Sequence, residues 1–442
     1  MVRHRLVALS LLLVGCLGAA LILSGSPVSH AQGPSEVWLN VQRGGATKLN
    51  IAVPVFTVAS GGDGTTGKTL ADVTAKDLSF TGLFSVVAGT SPLPLNDPEG
   101  AKKLLAEFAT AGAHAALAGI YTQRGDRADG EMRLYDLTSP EQRVIARKTF
   151  EMPVAQSRRL AHKIADEVVL QFTGELGSAD TRIAFVRGRP GSKEIYAVDY
   201  DGAGPTSLTS NGSINLSPVW NPDARSLAFT SYMKGYPDLY RIFVDRRPVQ
   251  TLASFVGINS SPGWSPDGRS LALTLSKDGN AEIYVLNVAT GAIRRLTRHI
   301  GIDSEPTWSP TGRQIAFVSD RQGEPHIYVM DDEGTNVRQI TRGGFQTQPR
   351  WSPKGDLIAF TTRRGGVHSI WIVAADGSNQ RRLDTGSGDA ESASWSPDSR
   401  HLAFQMNRTG AWQVYTMHAD GSDQRQVAGP DATSPSWSPR LP

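Results

Sequence analysis

Residues Gly62-Asp-Gly-Thr-Thr-Gly67-Lys68-Thr69 satisfy the spacing Gly-x-x-x-x-Gly-Lys-Thr. Backbone amides and a lysine at that spacing cradle the phosphates of a nucleotide. The surroundings argue against that chemistry. No clean apolar strand ending in a magnesium-binding aspartate follows, and a chain with 45 glycines makes chance matches easier. We read the stretch as a flexible loop with Thr69 near a helix start, and expect no nucleotide. Other catalytic signatures are missing: there is no Gly-x-Ser-x-Gly nucleophile elbow and no His-Glu-x-x-His zinc motif. His299, His326, His368, His401 and His418 fall at differing positions of a repeat, so they do not converge as metal ligands would. Asp-Gly pairs such as Asp201-Gly202, Asp376-Gly377 and Asp420-Gly421 could suggest calcium. Hairpin turns account for them better, because glycine accepts positive φ.

These residues sit on a frame set by a recurring phrase: Trp220-Asn-Pro-Asp, Trp264-Ser-Pro-Asp-Gly, Trp308-Ser-Pro-Thr-Gly, Trp351-Ser-Pro-Lys-Gly, Trp395-Ser-Pro-Asp-Ser and Trp437-Ser-Pro. The tryptophans are 44, 44, 43, 44 and 42 residues apart. A fixed period near 40–45 marks a propeller or a related array. Most are followed by an apolar triplet such as Leu227-Ala-Phe or Ile358-Ala-Phe, then by an aromatic-centred run such as Ile283-Tyr, a glycine turn, and a short strand such as Arg295-Leu-Thr. Short β-rich runs punctuated by Gly, Pro, Asn and Asp read as four-stranded antiparallel blades. Proline stands two residues before five of the six tryptophans, with Ala393 the exception. Proline cannot donate to a ladder, so the Pro-x-Trp strand belongs on the edge lining the central channel. Ile183-Ala-Phe185 lacks a tryptophan of its own, and Trp437 lacks the strands that should follow. Six blades therefore form only if Ser434–Pro439 pairs beside residues 182–187, which shuts the ring and removes its open edges.

The chain has 442 residues, 20% of them charged, which suits a turn-rich β protein with a second domain and not a disordered chain. Arg3 and Arg5 precede an apolar run from Leu6 to Leu23, then Ser29-His30-Ala31. That order describes a secretory signal peptide cut after Ala31. A membrane anchor is the competing reading, and Leu13-Val14-Gly15-Cys16 resembles a lipoprotein cleavage box. Loss of residues 1–31 removes two arginines and no acid, so the net charge falls from +3 to +1. Nothing electrostatic points to nucleic acid. Cys16 is the only cysteine, so the mature chain holds together by burial and closure, without disulfides. It is expected to be soluble, in a compartment that lacks ATP.

Residues 32–175 do not repeat. Glu36–Val41, Leu49–Val58, Ala115–Thr122, Glu131–Leu137 and Val144–Phe150 read as strands, and Lys68–Phe84, Pro98–Thr110 and Ala155–Phe172 as helices. In the last, Leu160, Ile164, Val168, Val169 and Phe172 share a face. The alternation describes a small α/β domain, linked by Thr173–Asp180 to a propeller over 176–442. The fold expected is thus an all-β six-bladed β-propeller with a smaller N-terminal α/β domain.

Particular stretches make a resemblance specific. Ile51-Ala-Val-Pro-Val-Phe, Asp166-Glu-Val-Val-Leu-Gln-Phe-Thr-Gly174, Thr181-Arg-Ile-Ala-Phe185, Asp199-Tyr-Asp-Gly202, Ser217-Pro-Val-Trp220, Ser304-Glu-Pro-Thr-Trp308 and Pro435-Ser-Trp-Ser-Pro439 come in that order after the leader. Together they resemble the TolB family along the whole chain. The resemblance implies a periplasmic adaptor of the Tol-Pal system, without enzymatic activity or cofactor. Such proteins link inner-membrane TolA to the peptidoglycan-associated lipoprotein Pal, maintain outer-membrane integrity and support constriction in cell division. Colicins use the same propeller in some bacteria.

The expected Pal site is one mouth of the channel, where Asn215, Ile258, Asn259, Ser304, Glu305, Gln346, Gln348 and Glu391 stand at the starts of the innermost strands. Six blades would bring the polar members into one ring facing the axis. Ser304-Glu305 matches the family's Pal-contact region best, while Ile258 stands where relatives can carry a histidine. The expected TolA segment is the mature N-terminus, with Gln32, Glu36, Val37 and Trp38. An extended segment can add to a partner's sheet edge, or pair within its own domain. An exported propeller hydrolase or lyase with its site in the channel is the alternative function.

Overall fold

The computed structural model describes residues 48–442. The leader, the segment Gln32–Trp38 and the expected strand Glu36–Val41 lie outside them. The N-terminal region runs β1 (Leu49–Val55), β2 (Thr57–Ser60), α1 (Gly64–Phe80), β3 (Phe84–Pro92), α2 (Pro98–Thr110), β4 (Ala115–Arg124), β5 (Arg127–Asp136), β6 (Val144–Pro153) and α3 (Ser157–Thr173). The sheet is mixed, in the order β3-β1-β4-β5-β6, with β2 also on β4. The β1–β3 and β1–β4 pairs are parallel, and β4–β5 and β5–β6 are antiparallel. Helices α1 and α3 cover one face, burying Leu70, Leu78, Leu160, Ile164 and Val168 against Ile51 and Val53. Helix α2 covers the other face, setting Leu105 and Phe108 on Ala52, Ala116 and Ala118.

Three details differ from the sequence reading. The single strand expected over 49–58 breaks at Phe56, whose N–H donates to Gly67 O at 3.3 Å instead of to the ladder. The first helix begins at Gly64, because Asp63 accepts from Thr66 N at 2.9 Å and forms a capping box with that residue. It ends at Phe80, and Phe84 opens a strand. The phosphate-loop match is therefore neither a cradle nor a flexible loop but the opening turns of a helix. Gly67 has a packing role: a Cβ there would lie 2.2 Å from Phe56 O. Lys68 pairs with Asp72, four residues on, at 2.7 Å.

The repeats form six four-stranded sheets around one axis. The second to sixth blades begin with innermost strands Asn215–Trp220, Asn259–Trp264, Asp303–Trp308, Phe345–Trp351 and Ala390–Trp395. In the first blade the innermost strand is the last of the chain. Ala432–Trp437 pairs antiparallel with Arg182–Arg189, and Trp437 stands opposite Ile183. The ring closes as the repeat phase requires.

Three of the tryptophans stitch neighbouring blades. Indole Nε1 of Trp220 donates to Ser436 O at 3.1 Å, that of Trp264 to Val219 O at 3.2 Å, and that of Trp395 to Arg350 O at 3.0 Å. All six tryptophans also line a cavity of 360 Å³ on the axis, with the prolines that follow them. One hydrophobic core runs from β1, α1 and α3 through Ile183, Phe185, Tyr200 and Trp437, so the N-terminal region and the first blade are packed as one.

Candidate functional site

Strand direction distinguishes the two mouths of the channel. Each innermost strand starts at one mouth and ends at the other with its tryptophan. The N-terminal region packs on the tryptophan side. Phe80 O, at the end of α1, accepts from His401 Nε2 at 2.9 Å and from His418 Nε2 at 2.8 Å. Ser178 Oγ donates to Asp398 at 3.0 Å, and Tyr200 Oη to Asp77 at 2.6 Å. Two of the five propeller histidines thus do converge, on a carbonyl that a helix end leaves without an intrahelical partner. The Phe80 ring stacks on His401 at 4.3 Å, and the Arg425 guanidinium lies 4.6 Å from the same ring. The opposite mouth, where the innermost strands begin, carries all the expected Pal-site residues.

The structure divides those residues into two groups. Asn215, Asn259 and Gln346 are fully buried, with their polar atoms taken up by neighbouring strands and loops. Asn215 Nδ2 donates to Lys193 O at 2.7 Å, and its Oδ1 accepts from Ser231 Oγ at 2.7 Å. Asn259 Oδ1 accepts from Phe255 N at 2.9 Å, and its Nδ2 donates to Phe255 O at 2.7 Å. Gln346 Nε2 donates to Arg342 O and Gly343 O. Asp303 holds the equivalent place and pairs with Arg321 at 2.9 Å. These side chains shape the loops between blades, as buried polar groups must when they satisfy local backbone. Ser304, Glu305, Gln348, Glu391 and Ile258 keep accessible surface.

Glu305 and Gln348 belong to a ring that spacing alone did not suggest. Each innermost strand has a register shift between the residue four before its tryptophan and the residue one before it. There Ser217, Ser261, Glu305, Gln348, Ser392 and Ser434 all adopt φ between 50° and 57°. Non-glycine residues rarely tolerate that region, and a bulge explains it by turning one N–H out of the ladder. In four blades that N–H reaches the preceding blade. Glu305 N donates to Thr274 Oγ1 at 3.1 Å, Gln348 N to Glu305 Oε2 at 2.6 Å, Ser392 N to Gln348 Oε1 at 3.0 Å, and Ser434 N to Gln405 Oε1 at 2.7 Å. Burial pushes the Glu305 carboxyl above its ordinary range, opposed by the bond from Gln348 and the charge of Arg350. Burial likewise pulls Arg350 down, opposed by Glu305. Glu391 accepts from Gln405 Nε2 at 3.1 Å and sits 3.0 Å from His368 Nδ1.

The feature that the polar reading missed, apart from Ile258, is apolar. Ile300 is 95% exposed, Val256 88%, Tyr236 75% and Ile258 45%. Ile302, Phe345 and Val367 are also exposed. Val256, Ile258, Ile300, Ile302 and Phe345 stand in loops entering innermost strands or at their first residue. Tyr236 and Val367 stand at hairpins joining the second and third strands, which antiparallel order puts at the same mouth. A sequence signal existed: Val256-Gly-Ile258 and Ile300-Gly-Ile302 occupy the same repeat position. Clustered exposed apolar residues mark interaction surfaces. The geometry offers a polar waist inside an apolar rim, suited to gripping another protein.

Comparison with known proteins agrees with this architecture. The TolB beta propeller domain family matches residues 169–439, and the TolB amino-terminal domain family matches residues 37–143. The Tol-Pal system protein TolB of Geobacter sulfurreducens is 40% identical over 214 residues, 47% of this chain and 48% of that one. Its counterpart in Desulfosudis oleivorans is 36% identical over 194 residues, 42% of this chain and 43% of that one. The chain spans about half the length of the curated relatives it matches. The crystal structure of TolB from Acinetobacter baumannii superposes with a TM-score of 0.77 at 27% identity, covering 89% of this chain and 97% of that one. The chain belongs to the TolB family of Tol-Pal system proteins.

Proposed function

We propose that the chain is a binding adaptor of the cell envelope and not an enzyme. Its free propeller mouth takes the lipoprotein Pal, and its N-terminal segment, with Gln32, Glu36, Val37 and Trp38, takes TolA. Exported to the periplasm by its leader, it connects the two and so supports outer-membrane integrity and constriction at division. The observation that carries this reading is the apolar rim around Ile300 and Val256, at the mouth the N-terminal region leaves open. The channel groups lend support. Glu305 and Gln348 are bound to neighbouring blades, which favours an adaptor over a hydrolase or lyase that needs free acid–base groups there. No described helix is long and apolar enough to cross a membrane. The test is direct titration of the mature chain with soluble Pal and with the periplasmic part of TolA. Ser304→Ala and Glu305→Ala are expected to weaken Pal binding and spare TolA. Deleting residues 32–38 is expected to do the reverse. Pal binding unchanged in both propeller variants would remove them from the site.

A further inference from the structure

Helix α3 and the first blade meet around a histidine that the adaptor reading does not use. His162 is 2% exposed. Its Nδ1 lies 2.7 Å from Asp77 Oδ2, and Asp77 Oδ1 accepts from Tyr200 Oη at 2.6 Å. Its Nε2 has no hydrogen-bond partner. A ring nitrogen in that state is unusual in a packed interior and asks for an explanation. One ring nitrogen of His162 and one carboxylate oxygen each of Asp199 and Asp201 all lie within 4.8 Å of one another. Since Asp77 occupies Nδ1, Nε2 is the nitrogen left for the two carboxylates.

We propose that His162, Asp199 and Asp201 are the ligands of a zinc-class divalent cation that staples the N-terminal region to the first blade. The donor set is one imidazole and two carboxylates. Imidazole selects zinc-like ions over magnesium and calcium, which prefer oxygen. Three protein ligands leave a fourth position for water. Asp77 is the outer carboxylate that fixes the ring, since metal-bound histidines almost always donate their other nitrogen to such a group. Ligand atoms about 2.1 Å from a tetrahedral ion stand about 3.4 Å apart, so the cluster must tighten. Asp201 can supply that movement. It occupies a turn beside Gly202 (φ 90°), and its carboxylate keeps one-fifth of its surface. A cavity of 390 Å³ bordered by Arg158, Tyr200 and Asp201 opens on the Asp201 side of the cluster. Arg158 now pairs with Asp201, and Arg182 lies 3.5 Å from Asp199. The metal displaces Arg158 from its partner and any proton from Nε2.

The experiment is chelator-competed titration of the dialysed mature chain with zinc(II), together with thermal unfolding. One equivalent per chain and a raised Tm are expected, with no competition from millimolar magnesium or calcium. Asp201→Asn, a near-isosteric change in a surface turn that keeps the fold, is expected to weaken zinc at least tenfold. Arg158→Gln removes the competing cation and is expected to tighten it. His162→Gln is the complementary loss, read only if its far-UV spectrum is native. No stoichiometric zinc in the wild type overturns the proposal. So does zinc whose affinity is the same in Asp201→Asn and Arg158→Gln as in the wild type, because the ion then sits elsewhere.

Discussion

Ile300→Ser separates contact residues from loop-formers at the mouth. Ile300 is 95% exposed, so the substitution removes almost no packing from the free chain. Unfolding free energy is expected to stay within about 0.5 kcal/mol of wild type. If Pal covers the rim, full burial of an isoleucine contributes about 1.5–3 kcal/mol to docking. At 1.4 kcal/mol per decade, Kd rises roughly 10–150-fold. Asn259→Ala behaves in the opposite way. It deletes the bonds that fix Phe255 N and Phe255 O, at 2.9 and 2.7 Å. Leaving such groups unpaired in a buried site costs about 1–3 kcal/mol of stability. Urea unfolding reads the first quantity and titration calorimetry with soluble Pal the second. Ile300→Ser that binds Pal within twofold of wild type refutes the apolar-rim site. Asn259→Ala with unchanged stability refutes the division of the mouth residues into two groups.

Three further outcomes follow from the same structure. Trp437→Ala empties the closing strand of the first blade and loses the indole bond to Thr181 Oγ1 at 2.8 Å; a stability loss of about 3–5 kcal/mol is expected in urea unfolding, and a loss below 1 kcal/mol would mean closure contributes little. Gly67→Ala is expected to lower Tm, because its Cβ meets Phe56 O at 2.2 Å, whereas Lys68→Ala, losing one exposed ion pair, shifts stability by at most about 0.5 kcal/mol; ATP is expected to change neither Tm, and a nucleotide-dependent shift that Lys68→Ala abolishes would restore the phosphate-loop reading. Burial works to raise the Asp398 carboxyl, but His401 and the Ser396 hydroxyl outweigh it and hold the group well below its ordinary value. The folded pKa is depressed, so the stabilisation is present above the unfolded value of about 3.9 and is lost as pH falls through that value toward the folded one. Asp398→Asn should therefore flatten the acid limb of a stability–pH profile, and an unchanged limb would show that another carboxylate controls it.

Legibility in the sequence followed periodicity. Trp-Ser-Pro recurs because each blade solves the same packing problem, so its spacing carried blade number and strand order. The phase of the first triplet and last tryptophan carried the closure between Ile183 and Trp437. Helix α3 was equally plain, since Leu160, Ile164, Val168 and Phe172 repeat on one face and all are buried. Helix α1 was less so. Its start depends on one cap at Asp63, and the apolar pattern runs on through Leu83 into a strand.

By itself, the amino-acid sequence determined the architecture, because blade number and ring closure depend on a pattern that local chemistry repeats. Tertiary structure alone decided which mouth residues meet solvent. Asn215, Ser304 and Ile300 stand within a few positions of each other in the repeat, yet one is buried in its loop, one keeps partial access and one is open. It also decided that His162, Asp199 and Asp201, from two regions distant in the chain, face one another. Neither outcome has a period to read, because each depends on contacts made only after the blades and the N-terminal sheet have packed.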